Sequence, residues 1–281
     1  MKQFIRNIFL IMTLAVIAGI SCKKSSIETN YNPNLQVANN QVIAERAYSE
    51  VFNLFIMVMS DSVLKAEGSK TIYNAQCSYQ DTNGIEYIID YGTYNTDCPD
   101  GKGRRGKITV GMNMDFSETG AIANLAFDGY IVNDLHLDGD NTISNTGLSM
   151  SMLQMYEHEV PSATLTLFDT VSHGSFHWQS LKTFTYIEGM GTVGDFEDDV
   201  FEITGQASGS DLNNVIFSAV IGDPLGNYFN CRWIRTGITY LSTPGLDITN
   251  GYIDYIGEDS CTNQVMYFFN GNPFYDKFIK H

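Results

Sequence analysis

Apolar and polar residues alternate with period two through most of this chain after Gly68, and that period leaves few folds open. Ile108, Val110, Met112, Met114 and Phe116 alternate with Lys107, Thr109, Gly111, Asn113 and Asp115. Leu125, Phe127 and Ile131 continue the pattern, as do Leu148, Met150 and Met152, then Ala163, Leu165 and Leu167. Phe176 and Trp178, Phe201 and Ile203, the run Val215, Phe217, Ala219 and Ile221, and finally Val265, Tyr267 and Phe269 follow it. Successive side chains of a strand point to opposite faces, so this alternation marks half-buried antiparallel strands. Four clusters read as turns between them: Asp81-Thr82-Asn83-Gly84, Asp138-Gly139-Asp140-Asn141, Gly222-Asp223-Pro224 and Thr243-Pro244-Gly245. The pattern predicts a mainly β protein of roughly a dozen strands, built as an antiparallel sandwich or as a strongly curved sheet.

Before Gly68 the period is helical. Ile43, Ala47, Val51, Phe55 and Met59 recur at helical spacing, and Ala44, Tyr48, Phe52, Ile56 and Val63 widen the stripe. Arg46, Ser49, Glu50, Asn53 and Ser60 mark the other side. The spacing predicts one helix from Asn40 to Glu67, capped by Asn39 or Asn40 and stopped by Gly68. So wide an apolar face needs a cover, and the sheet is the available one. A helix lying on lipid would carry a polar face rich in Lys and Arg. This polar face is mixed to acidic.

The N-terminus reads as an address. Lys2 and Arg6 precede an uncharged run from Ile8 to Ser21, and Cys22 follows Gly19-Ile20-Ser21. The run suits a signal peptide and is short for a membrane span of about 20 residues. Residues 1–21 are therefore expected to be a lipoprotein signal, with Cys22 as the lipid-attachment residue. Residues 22–36 are polar and aperiodic and read as a flexible tether. Residues 37–281 are left for one β-rich domain with its N-terminal helix.

Charge and cysteines narrow the partners. The formal charge is −16, and removing Lys2 and Arg6 with the signal takes it to −18. Such a surface repels nucleic acid and anionic headgroups, and it favours solubility, cations or basic partners. Beyond Cys22 four cysteines remain, Cys77, Cys98, Cys231 and Cys261. An even number in an exported chain suggests two disulfides. Proximity in sequence favours Cys77–Cys98 and Cys231–Cys261, and free thiols are the alternative. The spacings are too wide for a paired Cys-x-x-Cys zinc site.

A short echo links two of these cysteines. Ile89-Asp90-Tyr91-Gly92 precedes Cys98, and Ile253-Asp254-Tyr255-Ile256-Gly257 precedes Cys261. The first segment, continued through Cys98-Pro99-Asp100-Gly101-Lys102-Gly103-Arg104-Arg105-Gly106-Lys107-Ile108, resembles one found in uncharacterised Bacteroidota outer-membrane lipoproteins. Ser21-Cys22-Lys23-Lys24 and Asp198-Asp199-Val200-Phe201-Glu202-Ile203-Thr204-Gly205 are similar to segments of the same group. The resemblance implies a lipoprotein signal, an N-terminal helix and a β-rich body, and it implies no activity. In that group acidic residues soon after the Cys-Lys pair accompany surface display. Lys24 and Ser25 stand there in this chain, which leaves both a periplasm-facing and a surface location open.

The remaining motifs are weak. Gly189-Met190-Gly191-Thr192-Val193-Gly194 spells a dinucleotide fingerprint but precedes acidic residues and a strand, not a helix, and reads as a turn. Asp195, Glu197 and Asp199 alternate as cation ligands can, yet Val200 excludes an EF-hand loop. An irregular Ca²⁺ site there, or at Asp138 to Asn141, competes with a solvated acidic turn. His173 and His177 lie about 13 Å apart on a strand, too far to share one ion readily. Lys102, Arg104, Arg105 and Lys107 hold a quarter of the 16 basic residues. They are either an anion or partner patch, or a loop paired internally with Asp97 or Asp100. The aromatic residues could form a sugar platform, but their alternation favours core packing. No nucleophile elbow is present and no cofactor motif stands out. The reading is a cell-envelope lipoprotein, a non-catalytic binding or structural module with an envelope protein or glycan as partner. A carbohydrate- or Ca²⁺-binding accessory of a polysaccharide-uptake system is the alternative, and an exported hydrolase the third.

Overall fold

The computed structural model describes residues 32–82, 84–168, 173–192, 194–257 and 261–269, and the backbone of 272–276. The expected signal, Cys22 and the tether as far as Tyr31 lie outside the described residues. Pro33 to His281 fall in one compact unit.

Helix α1 (Pro33–Met59) begins earlier than the sequence pattern suggests, and Asn39 and Asn40 are helical rather than capping. Pro33 at the first helical position is the start signal, because its fixed φ suits the first turn and its missing N–H is not needed there. The helix does not run unbroken to Gly68. Asp61 is extended and caps α2 (Ser62–Glu67), accepting from the Leu64 N–H at 2.8 Å. Gly68 closes α2 in the left-handed conformation at φ 77°, as its position predicts.

Fifteen strands follow: β1 (Ser69–Ile72), β2 (Ala75–Gln80), β3 (Ile85–Asp90), β4 (Thr96–Asp97), β5 (Gly103–Met112), β6 (Ile122–Val132), β7 (Leu135–Leu148), β8 (Gln154–Phe168), β9 (His173–Glu188), β10 (Val200–Ser210), β11 (Ile216–Tyr228), β12 (Thr236–Ser242), β13 (Asn250–Tyr255), β14 (Val265–Phe269) and β15 (Asn272–Asp276). They form one antiparallel meander in which each strand pairs with its sequence neighbour, except that β3 and the short β4 lie in succession along one side of β5. The sheet is open, because no ladder among the described residues joins β1 to β15. Of the two expected arrangements, the strongly curved sheet is the one formed.

The curvature has a visible cause. Register shifts interrupt the ladders of β5, β6, β7, β8, β10 and β11, and such bulges bend a strand. Gly205 lies in one of them at φ +121°, where a Cβ would stand 2.3 Å from the Leu181 carbonyl oxygen. Two expected turns, Asp138 to Asn141 and Gly222 to Pro224, are bulges of this kind inside β7 and β11. Leu148, Met150 and Met152 are exposed at the β7–β8 turn and do not form a buried strand.

The sheet wraps α1 instead of covering one face of it. Twenty of its 27 residues are buried. Tyr48 stacks on Trp178 of β9 at 5.1 Å and meets Phe127 of β6. Phe52 stacks on Phe184 of β9 at 3.8 Å and meets Phe201 of β10 edge-on. Asn39 accepts from the Tyr267 hydroxyl on β14. A helix apolar over most of its circumference needs such a wrap. The inward row of β9 also carries Lys182, whose ammonium donates to Glu45 of α1 at 2.7 Å. Gln41 donates to the same carboxylate and accepts from the Trp178 indole N–H at 2.9 Å, so this buried polar chain is satisfied.

Candidate functional site

One stripe of α1 is not covered by strands. Arg46, Ser49, Glu50, Asn53 and Met57 recur at helical spacing and line a cleft of about 470 Å³. One wall is the loop between β4 and β5 (98–102) together with Arg104. The other is the loop between β11 and β12 (229–235), with Phe196 from the loop between β9 and β10. Arg232 joins the two walls by donating to the Asp100 carbonyl at 2.9 Å. A disulfide between Cys231 and Cys261, with Cα atoms 5.4 Å apart, pins the second wall.

The first wall is held by a buried charge cluster. Arg104 forks onto Asp100, with Nη1 donating at 2.9 Å, and its Nε donates to Glu50 at 3.0 Å. The Lys102 ammonium donates to the other Glu50 oxygen. Burial alone would raise the Glu50 carboxyl, but Lys102 and Arg104 offset it and hold it below the usual carboxylate range. Asp100 follows the same logic, with burial opposed by the hydrogen bonds and charge of Arg104 and by Lys102. Arg104 loses to burial and gains more from Glu50 and Asp100, so its guanidinium stays charged. Two cations and two carboxylates balance here.

Among the described residues Arg46 is a buried charge without an ion pair. It is 3 % exposed, and its Nη2 donates to the Asn263 carbonyl at 3.2 Å. Its Nε and Nη1 have no hydrogen-bond partner, and neither has the Ser49 hydroxyl one turn on. Burial lowers the Arg46 pKa to about 10, with Tyr255 and Tyr267 pulling it back up. Glu50, four residues on, is engaged by Lys102 and Arg104 and forms no ion pair with Arg46. The Trp233 ring lies beside this end, with the Arg46 and Arg232 guanidinium carbons 4.9 Å and the Lys102 ammonium 5.2 Å from its centroid. The far end is mostly apolar, although the exposed Glu197 beside Phe196 also lines the cleft. Phe196 stacks on Phe229 at 6.0 Å, and both face the cleft with Met57 and Leu54. Asn53 and Asn227 exchange side-chain hydrogen bonds between the two ends.

The basic run splits when folded. Lys102 and Arg104 are buried in the cleft wall. Arg105 donates to Asn95 at 2.7 Å, and Lys107 stands 3.8 Å from Asp90 on the outer surface. The four do not form one patch. Their acid partners are Asp100, Asp90 and Glu50, whereas Asp97 forms no ion pair with them among the described residues. Asp195, Glu197 and Asp199 do not converge either. Asp199 is buried and accepts from the Tyr186 hydroxyl, while Asp195 caps the Glu197 N–H. Among the described residues no group of three metal-ligating side chains comes together. Gly189 to Thr192 and Gly194 lie between β9 and β10 and open no helix. His177 bonds Thr164 on the outer face at 3.3 Å.

Only one of the two expected disulfides forms. Cys77 and Cys98 are buried free thiols. Cys77 lies level with Ile108 of β5 through Ile89, whereas Cys98 bonds back to Lys102 before that strand begins. Six residues along a strand is about 20 Å, beyond the Cα separation a disulfide spans. Burial pushes the Cys77 thiol up to about 11 and raises Cys98 as well, which disfavours the reactive thiolate form of both.

The sequence echo ends at this cleft from two sides. Tyr91 is buried near Arg104, Tyr255 is buried near Arg46, and each echo runs on into a cleft wall at Pro99 and Cys261. Sequence reading missed Arg46, Glu50 and Trp233 as site residues. The signal was the polar stripe at 46, 49, 50 and 53 on a helix that is otherwise mostly apolar from Val42 on. Among the described residues no helix is long and apolar enough to cross a membrane. Comparison with known proteins finds no match among family models, curated proteins or solved structures.

Proposed function

We propose that this chain is a cell-envelope lipoprotein, anchored through Cys22, that holds a small ligand in the α1 cleft without catalysing a reaction. The cleft carries the reading. Its volume of about 470 Å³ falls in the range of small-molecule sites, with an apolar end and a convergent set of polar groups at the other. Catalysis finds no support there. Two of its carboxylates, the partly buried Glu50 and Asp100, are locked to cations and held ionised, so neither is a proton donor near neutral pH. His158 is buried against Asn141 and does not line the cleft. The anchor, the outer-membrane location and the kinship with Bacteroidota lipoproteins rest on the sequence around Cys22 and on the paired Asp-Tyr segments.

A thermal-shift panel of carboxylates, sugars, amino acids and divalent cations tests the binding reading. At least one compound should raise the melting temperature of the native protein and fail to do so after Met57→Trp, which fills the cleft. A panel without any shift refutes the reading. For the anchor, Cys22→Ala should move the protein from the detergent phase to the aqueous phase, and continued detergent partitioning refutes lipidation.

One observation favours carbohydrate as a second reading. Tyr240, Tyr252 and Phe268 form a cross-strand row on the outer face of β12, β13 and β14. Tyr252 stacks on Phe268 at 4.4 Å, and Tyr240 is 54 % exposed. Aromatic faces of this kind suit sugar rings. Retarded migration in gels containing soluble polysaccharide, lost in Tyr240→Ala, would support it. Unchanged migration on every polysaccharide tested removes it.

A further inference from the structure

Resting on the cleft as the binding site, we infer that its ligand is an amphiphile with a single carboxylate head, seated at Arg46 and Ser49, and an apolar tail toward Met57, Phe196 and Phe229. Three orphaned donors select the head. Arg46 Nε, Arg46 Nη1 and Ser49 Oγ are buried without partners, and both residues line the cleft. A buried donor left unmade is expensive, and a carboxylate offers acceptor sites and no competing donor.

The charge count selects the valence. Glu50 and Asp100 already neutralise Lys102 and Arg104, so one buried positive charge remains, and it is Arg46. A second negative charge on the ligand would stand near Glu50, and the other cation lining the cleft, Arg232, is exposed and screened by water. A cationic head would face Arg46 directly. Lining order selects the tail. Arg46 and Met57 are eleven residues apart on one helix, about 16 Å along its axis. Polarity falls along that distance, from Arg46 and Trp233 through the Asn53–Asn227 pair to the stacked Phe196 and Phe229. A sugar would want hydrogen-bonding groups along the whole length, and a free inorganic anion would leave the apolar end unused.

Calorimetric titration of the full Cys22→Ala chain with dodecanoate, dodecanol and dodecylamine, each below its aggregation concentration, tests this. Dodecanoate should bind about tenfold or more tighter than dodecanol, as a charge-assisted hydrogen bond predicts, and dodecylamine weakest. Tryptophan emission should change with dodecanoate, because Trp233 lines the cleft and Trp178 does not. Arg46→Met should bring dodecanoate and dodecanol within about twofold of each other, since only the charged contact is lost. Ser49→Ala should weaken dodecanoate more than dodecanol, because a hydrogen bond to a carboxylate is stronger than one to an alcohol, and it keeps the inference testable should Arg46→Met not fold. Equal binding of dodecanoate and dodecanol to the native chain overturns the carboxylate assignment while leaving the cleft as a site. Absence of binding by all three, with a different cleft ligand emerging from the thermal-shift panel, overturns the amphiphile assignment alone. Absence of binding in both experiments overturns the cleft reading itself.

Discussion

Replacing Glu50 by Gln removes the carboxylate that two buried cations share. Lys102 and Arg104 are 4 % and 1 % exposed, so neither can turn to water when Glu50 is neutral. Arg104 keeps Asp100, but Lys102 loses its only ion pair among the described residues. Breaking a buried pair from one side costs about 3–5 kcal/mol, because the remaining charge stays buried without compensation. Glu50 reaches solvent at 14 % of its side-chain surface, which places the expectation at the lower end, about 3 kcal/mol. Against a typical total stability of about 5–15 kcal/mol that is a large fraction.

Urea denaturation followed by circular dichroism at pH 7 measures this loss directly. Acidification supplies a second readout. The folded pKa of Glu50 and of Asp100 lies below the ordinary carboxylate value. Their contribution is therefore complete above the unfolded carboxylate pKa, about 4. It is lost as pH falls through the lower folded value. Glu50→Gln should lower stability at pH 7 and flatten the curve below pH about 4. Pairing it with Lys102→Met should recover most of the loss, since both ends of one contact are then neutral. A Glu50→Gln protein within about 1 kcal/mol of the native chain, with an unchanged acid limb, refutes the view that this carboxylate holds the cleft wall.

Lys182→Met should cost about 3–5 kcal/mol by leaving Glu45 buried and charged, and adding Glu45→Gln should restore most of it; a double variant no better than the single one refutes the pairing. His158 is held down to about pKa 3, chiefly by burial and then by Lys182. Its folded value lies below the unfolded one, so its contribution is complete above pH about 6.5 and falls by up to about 1.4 kcal/mol per pH unit below that. His158→Gln should remove this limb, and a native stability that stays flat between pH 6.5 and 4.5 contradicts the burial argument. Alkylation of the unfolded, unreduced protein should label Cys77 and Cys98 and spare Cys231 and Cys261; reduction should lower stability by about 3.5 kcal/mol for a loop of 30 residues. Label on Cys231 or Cys261 before reduction refutes the bridge.

The strands were legible because their alternation is set by one-sided burial, which needs no knowledge of the partner strand. Phe176 and Trp178, Phe217 and Ala219, and Val265 and Tyr267 all point inward as their spacing indicates. Where polar residues share the inward row, as Lys182 and His158 do, alternation cannot show it. Their partners, Glu45 and Asn141, are 137 and 17 residues away. Glycine and aspartate were ambiguous for a physical reason. Some turns and some bulges both use a residue free to take positive φ, so Gly139, at φ 131°, reads alike in either. The cleft was half legible. Arg46, Ser49, Glu50 and Asn53 stand out as one polar side of α1, but a solvated face and a cleft floor have the same sequence. Only the return of Lys102 and Arg104 to Glu50, across 52 and 54 residues, separates the two.

That polar stripe carries an energetic cost of its own. Glu50 and Asn53 have side-chain partners for their buried polar atoms. Arg46 is buried without an ion pair among the described residues. Its fall to a pKa of about 10 corresponds to roughly 3 kcal/mol against the charged form. Its stacking on Trp233 and its bond to Asn263 return part of that, each on the order of 1 kcal/mol. A residue retained only for stability would be apolar at this position, since Met would keep the contact with Trp233 and remove the buried charge. Arg46→Met should therefore raise stability by about 1–3 kcal/mol in urea denaturation, while abolishing the preference for carboxylates. The two effects must appear together. A variant that loses both stability and selectivity would make Arg46 a structural strut, and the open cleft a consequence of packing alone.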